Sequence, residues 1–380
     1  MADEQGSLKR KPGFATLSIH AGLNPDQWNG AIVPPIGYTY SRTANPMRDT
    51  LEQCLAALEG GKYAFTFASG HGVITSILAL LNRGDHIISM DNVYGGTGQV
   101  MRENLPRLGI DLTFTDVRNE RNLDNAIQDN TKIVWLETPT NPNCRVIDIA
   151  ATVQIVKKRN ENIIVVVDNT FLTCYLQRPL DFGADIVVYS LTKYMNGHSD
   201  VVMGAAVVSK KEIADNLRYV QESYGSVPSP FDCYLVNRSL KTLSLRMERH
   251  KATALVVAEW LEKHPNVVEV NHPGLKSHKG HEIFNKQTSG HSGIFSFKHS
   301  GGLRESRKLL TCFKVFLVAE SLGGYESLVE IPSVMTHKTV PQLQKTKLGI
   351  TDAMIRISIG LEDAEDLIAD LGNAFKKTFI

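Results

Sequence analysis

Short apolar runs alternating with helical stretches are the strongest constraint on what this chain can fold into. Residues 63–67, 86–90, 111–114, 133–136, 163–167, 185–189 and 201–208 read as strands, with helices such as 73–81 and 149–158 between them. The run Ile163-Ile164-Val165-Val166-Val167 has no polar face, which suits a strand buried on both sides. This alternation predicts the α/β class: a mainly parallel sheet with helices on both faces, and ligands at the carboxyl ends of its strands. The pattern changes near Ser226. Pro228 and Pro230 precede a helical stretch carrying Leu240, Leu243 and Met247, followed by a helix over 252–263, β-rich runs at 293–297 and 355–359, and a terminal helix after Asp363. That half reads as a smaller α+β domain. The expected division is an N-terminal arm over 1–45, an α/β domain over 46–244 and an α+β domain over 245–380. It agrees with the two to three units that 380 residues suggest at roughly 150 per domain.

Charge and cysteine usage exclude several function classes. Lys and Arg total 41 against 40 Asp and Glu, so no broad field steers the chain to nucleic acid or an anionic membrane. No apolar run approaches a membrane span, and the polar opening Met-Ala-Asp-Glu-Gln lacks the apolar stretch of a secretory signal. Cys54, Cys144, Cys174, Cys233 and Cys312 are scattered and form no CxxC pair, which disfavours a disulfide framework or a zinc site. His272, His278 and His281 fall among Lys and Gly, in what reads as an exposed loop without a metal-binding spacing. A soluble, reduced, cytoplasmic protein without a metal is expected.

Five polar clusters follow strand candidates. Tyr189-Ser190-Leu191-Thr192-Lys193 presents Ser, Thr and Lys together where a strand ends, and a lysine in such a low-dielectric place favours the neutral amine of Schiff-base chemistry. Ser190 and Lys193 also fit Ser-x-x-Lys, but no Ser-Asp-Asn or Lys-Thr-Gly element accompanies them. Asp168 closes the buried run at 163–167. It either caps the following turn or pairs with a buried cation such as a pyridinium nitrogen. Ser69-Gly70-His71-Gly72 opens a helix and makes either a phosphate cradle or a plain tight turn. Its partial match to a dinucleotide fingerprint fails at Thr75. Tyr94-Gly95-Gly96 can set a ring over a flat cofactor, or serve as an ordinary loop. Glu137-Thr138-Pro139-Thr140-Asn141-Pro142 is stiffened by two prolines, so Asn141 is held in one orientation or simply makes a turn.

Together and in this order, these clusters resemble the cysteine/methionine-metabolism family of enzymes that depend on pyridoxal 5'-phosphate (PLP). Ser190-Leu191-Thr192-Lys193-Tyr194-Met195-Asn196-Gly197-His198-Ser199-Asp200 is similar to the family's PLP-lysine motif, and the likeness runs from Ser18 to Leu371. Within the family, residues 226–235, the stretch Ala319-Glu320-Ser321-Leu322-Gly323-Gly324 and Leu361-Glu362-Asp363 look most similar to eukaryotic cystathionine γ-lyases.

The resemblance implies a PLP-dependent transferase-like fold of the aspartate aminotransferase type, and roles for matched positions. Lys193 would hold PLP covalently and move protons, and Asp168 would pair with the pyridine nitrogen. Tyr94 would stack on the ring and assist proton transfer. Gly70, the His71 amide, Ser190 and Thr192 would grip the phosphate. Asn141, Ser321 and Gln99 would face substrate or cofactor, Arg356 would fork onto the substrate α-carboxylate, and Glu320 would suit a distal amino group. Tyr40 and Arg42 would reach the phosphate of a neighbouring subunit in a homotetramer of two dimers. The implied reaction is γ-elimination of L-cystathionine to L-cysteine, 2-oxobutanoate and ammonia, with hydrogen sulfide release from cysteine or homocysteine as a further activity. A γ-synthase, a methionine γ-lyase-like enzyme and a poorly active variant remain alternatives.

The chain departs from the family pattern in the arm, at Gln99 and at His71-Gly72, which stands where the family usually has small apolar residues. Ile36-Gly37-Tyr38-Thr39 joins directly to Tyr40 where the family runs through a longer stretch, so the arm is expected to be shortened. Gln99 stands where these lyases commonly carry Arg. Gly96 stands where methionine γ-lyases usually carry Cys.

Overall fold

A computed structural model describes residues 13–22, 40 and 42–379 of the chain. The Pro34-to-Thr39 segment, where the shortening is expected, lies outside the described residues. Twelve strands form among those described: β1 (Tyr63–Phe67), β2 (His86–Met90), β3 (Asp111–Thr115), β4 (Thr131–Glu137), β5 (Ile164–Asp168), β6 (Ile186–Ser190), β7 (Gly204–Val208), β8 (Val267–Asn271), β9 (Ile294–His299), β10 (Leu317–Val318), β11 (Leu328–Glu330) and β12 (Met354–Ser358).

The first sheet has the order β1-β7-β6-β5-β4-β2-β3. Strands β3, β2, β4, β5 and β6 run parallel, while β7 is antiparallel to both of its neighbours. Ile133, Val134, Val165, Val166, Ile186 and Val187 are fully buried, because helices cover the parallel core on both faces. Strand β7 begins at Gly204 rather than at 201. The Thr192 hydroxyl takes both backbone groups of Met203, donating to its carbonyl at 3.2 Å and accepting its N–H at 3.1 Å. Those groups are thereby removed from the ladder, and Val202 stays 61% exposed.

Strands β8 to β12 form a second sheet, β10-β11-β12-β9-β8, antiparallel except for the β10–β11 pair. The helices Leu243–Glu262 and Ala364–Thr378 cover it. The apolar interior divides in two along the first of these helices. Leu243 and Met247 belong to the core of the first sheet, and Ala254, Val257 and Leu261 to that of the second.

Two sequence expectations are corrected. The arm contains a helix, Phe14–His20, which local propensity does not signal. Tertiary contacts support it: Ser18 is buried, and its carbonyl accepts the Lys241 ammonium at 2.5 Å. His272 is not in an exposed loop. It is fully buried edge-on to His291 and Phe295, where burial holds its pKa well below the ordinary range.

Candidate active site

The carboxyl ends of β4, β5 and β6 and the loops after β1 and β2 open into a cleft of about 650 Å³, closed on the other side by segments around β10, β11 and β12. Lys193, Tyr94, Asp168, Ser190, Thr192 and Gly70 all line it, as do His71, Asn141, Glu320, Ser321, Gln99 and Arg356. Tyr40 and Arg42 do not. The Arg42 guanidinium donates to the Glu222 carbonyl at 2.7 Å and lies 5.2 Å from the Tyr40 ring centroid, away from this chain's own cleft.

Lys193 follows β6 in a turn that is fixed from behind. Arg246 donates to the carbonyls of Tyr194 at 2.6 Å and Met195 at 3.2 Å, and Asn196 bonds Asp200 at 2.7 Å. These contacts explain much of the motif after Lys193: it builds a rigid base for one amine. The Lys193 Nζ donates to the Ser321 hydroxyl at 3.1 Å. Burial lowers its pKa from 10.5 to about 8, helped by the nearby Arg356 cation and opposed by Glu330. The loop that carries Ser321 packs closely on this turn: Gly323 adopts φ +74, and a Cβ there would lie 2.7 Å from the Tyr194 nitrogen.

Asp168 ends β5 beside Glu137 of β4 and Val188 of β6. One of its oxygens accepts the Thr170 N–H at 3.0 Å, and among the described residues no ion pair is formed by it. Burial pushes its pKa up. A carboxylate facing a cleft without a cation of its own fits the pyridinium of PLP.

The phosphate end also fits. The helix Gly70–Leu78 begins at the cleft, and the first N–H groups of a helix lack intrahelical partners. Ser69 caps the Gly72 N–H at 3.0 Å, which leaves those of Gly70 and His71 for an anion. Ser190 lies against Gly70 and is held by its own N–H on the Thr170 hydroxyl at 2.9 Å. The Thr192 hydroxyl proton is already on the Met203 carbonyl, so it must turn to donate to a phosphate.

Arg356 is buried, and its guanidinium is shared. It pairs with Glu330 at 2.7 Å and donates to Asn141 Oδ1 at 3.2 Å and to the carbonyls of Glu320 and Ser321 at 2.6 and 3.0 Å. These contacts use the Nη1 and Nη2 groups, so a carboxylate binding with both oxygens has to displace at least one of them, and the longest are those to Asn141 and Ser321.

Glu137 and Glu330 were not singled out by the sequence reading. Glu137 accepts the backbone N–H of Tyr94 at 2.8 Å and of Asn141 at 3.0 Å, tying the loops after β2 and β4 together. Its pKa is pushed up to about 8 by burial and by Asp168. A signal existed for both: each is a lone acid closing an apolar strand. Gly96 is also explained, because a Cβ there would lie 2.6 Å from both the His71 and Tyr94 rings.

The family model described as "Cys/Met metabolism PLP-dependent enzyme" matches residues 24–376. The chain belongs to that family. Family membership carries the PLP cofactor and the α/β fold with it. Among similar curated proteins is a cystathionine gamma-lyase of Bos taurus, 48% identical over 391 residues, covering 99% of this chain and 96% of that protein. The Homo sapiens protein of the same name is also 48% identical, with the same coverage. The 391 aligned positions exceed the chain's 380 residues, so at least 11 have no counterpart here. Among solved structures, cystathionine gamma-lyase from Lactobacillus plantarum complexed with L-serine superposes with a TM-score of 0.93 at 36% identity, covering 97% of this chain and 99% of that one. Corynebacterium glutamicum metB does so with a TM-score of 0.92 at 42% identity, covering 96% and 98%.

Proposed function

We propose that this family member converts L-cystathionine and water to L-cysteine, 2-oxobutanoate and ammonia by γ-elimination. The observation that carries the reading is the convergence of Lys193, Asp168 and Arg356 on one cleft, in a chain 48% identical over nearly its whole length to proteins named cystathionine gamma-lyase. The γ-synthase, methionine γ-lyase-like and inactive-variant readings are not favoured by those relatives.

Bound PLP supplies an electron sink that acidifies the substrate's Cα–H and Cβ–H bonds. Lys193 would hold it, Asp168 would face its pyridine nitrogen, Tyr94 would cover its ring, and the Gly70 and His71 amides with Ser190 would take its phosphate. The remaining chemistry falls to the protein's own groups. The neutral Lys193 amine takes the Cα proton and delivers protons along the substrate chain. Ser321 aims that amine. Arg356 and Asn141 orient the α-carboxylate so that the Cα–H bond points at Lys193. Glu320, at the exposed edge of the cleft, takes the distal ammonium.

With domains at 46–244 and 245–380, the cleft would lie where the two parts meet. The position of Tyr40 and Arg42 outside their own cleft supports an assembly in which they serve a neighbour, a homotetramer of two dimers in the cytoplasm. Hydrogen sulfide release from homocysteine is the same γ-elimination with a smaller leaving group. No helix among the described residues is long and apolar enough to cross a membrane.

The test is production of 2-oxobutanoate from L-cystathionine by purified protein supplied with PLP. Formation of a yellow protein that releases no 2-oxobutanoate would overturn the reaction while leaving the cofactor. Size measurement and dialysis of the same preparation test the assembly and the shortened arm.

A further inference from the structure

A substrate with an amino-acid group at each end presents two zwitterions, and the interior of the cleft answers only one of them. Among the described residues lining the cleft, the Lys and Arg cations are Lys193, Arg356 and Lys338. Lys193 bonds Ser321 in the interior, and Arg356 is committed to Glu330 and the groups around it. Gln99, on the helix wall, is neutral, and its amide donates to Glu103 of its own helix at 3.0 Å. Lys338 therefore holds the one cation at the mouth that is not engaged in a described ion pair.

The backbone around Lys338 is fixed from several sides. Thr336 donates its hydroxyl to Glu330 at 2.8 Å, and the His337 Nε2 bonds the Asn141 carbonyl at 3.2 Å. The Lys345 ammonium donates to the carbonyls of Ser333 at 2.9 Å and Lys338 at 3.3 Å. The turn is thus tied to the same Glu330–Arg356–Asn141 group that orients the substrate's near end. Lys338 itself is exposed, as is Glu320, and the two form no ion pair with each other within 4.0 Å. Among the described residues the rim thereby presents one anion and one cation outside any described ion pair, the two signs of charge that a distal ammonium and carboxylate require.

We propose that Lys338 is a specificity-determining residue that binds the distal α-carboxylate of the substrate while Glu320 takes the distal ammonium. The inference rests on the proposed cystathionine reading and deepens it. It explains how a cleft with neutral Gln99 on its helix wall selects a substrate carrying a second amino-acid group. The ion pair would form in a partly hydrated mouth, where such contacts are modest.

The test compares L-cystathionine with L-homocysteine, which has no distal zwitterion, and with S-(2-aminoethyl)-L-homocysteine, which has the distal amine alone. In Lys338→Met the ratio of kcat/KM for cystathionine to that for homocysteine should fall about three- to tenfold, carried by KM, the range of a partly exposed charge pair. Lys338→Arg should restore the ratio. The aminoethyl analogue should respond to Glu320→Gln and show no preference between the parent and Lys338→Met. A ratio unchanged in Lys338→Met, or an equal response of the analogue and cystathionine to that change, would overturn the inference alone. Absence of 2-oxobutanoate from every substrate would overturn the proposed reaction and this inference together.

Discussion

Arg356 of β12 and Glu330 of β11 sit directly opposite each other on the antiparallel ladder, with Nη1 and Oε1 2.7 Å apart and both side chains essentially without solvent exposure. Burying one such charge alone is costly, and removing one partner of a buried pair typically destabilises by about 3–5 kcal/mol. Glu330→Gln is therefore expected to lower stability by about 2–4 kcal/mol, because the Arg356 carbonyl contacts remain. The double variant with Arg356→Gln should lose less than the sum of the two single losses. Denaturant unfolding of the four proteins measures this coupling, and additive losses would refute it.

Lys193 sets a second expectation. Its amine titrates near pH 8 rather than 10.5, through burial first and the Arg356 cation second. Only the unprotonated amine attacks an aldehyde. Capture of PLP by cofactor-free protein should accelerate as pH rises toward about 8 and then level, whereas a solvated lysine would keep accelerating well beyond. Stopped-flow absorbance at several pH values reads the midpoint. Lys193→Ala should give no borohydride-stable adduct and no turnover.

Glu137 is expected to act through its neighbours. It accepts the N–H groups of Tyr94 and Asn141 with separate oxygens, and Gln offers only one acceptor oxygen. Glu137→Gln should leave one loop without its tie and reduce kcat/KM by about tenfold, consistent with the roughly 1–3 kcal/mol of a stranded buried donor. A role confined to general stability would lower the melting temperature without moving the cofactor's absorption band. A positioning role shifts that band as well.

Much of the fold was legible because the parallel strands are apolar on both faces, which leaves a signature in one sequence. The Ile163-to-Val167 run became β5 with a displacement of one residue, the polar Asp168 being included as the last ladder position. The arm helix Phe14–His20 was not legible, because contacts from Lys241 and Cys54, distant in sequence, hold it. At the site, residues next to glycines and prolines stood out. Glu330 closes an apolar run, but its role depends on Arg356 lying across the ladder, a pairing that sequence periodicity does not register. The His272 misreading has the same origin: polar neighbours in sequence hid a buried ring packed on Phe295.

The last expectation concerns pH and stability. Glu59 is fully buried at the end of the helix Pro46–Glu59, where it receives the Tyr189 hydroxyl and the Leu180 N–H. Asn169 in turn donates to Tyr189 at 3.0 Å, while Asp181 and Arg178 are the charged groups that face Glu59. Burial pushes the Glu59 pKa up from 4.5 to about 8, outweighing the two hydrogen bonds. The folded chain therefore holds this proton more tightly than the unfolded chain does. Its contribution to stability is fully present below pH 4.5, declines as pH rises, and is lost once pH passes about 8. Glu59→Gln keeps an acceptor for Tyr189 and removes the titration. Relative to that variant, the parent should lose about 3–5 kcal/mol between about pH 5 and pH 9. Parallel unfolding curves of the two proteins across that window measure the difference, and a constant offset at every pH would show that Glu59 is ionised throughout.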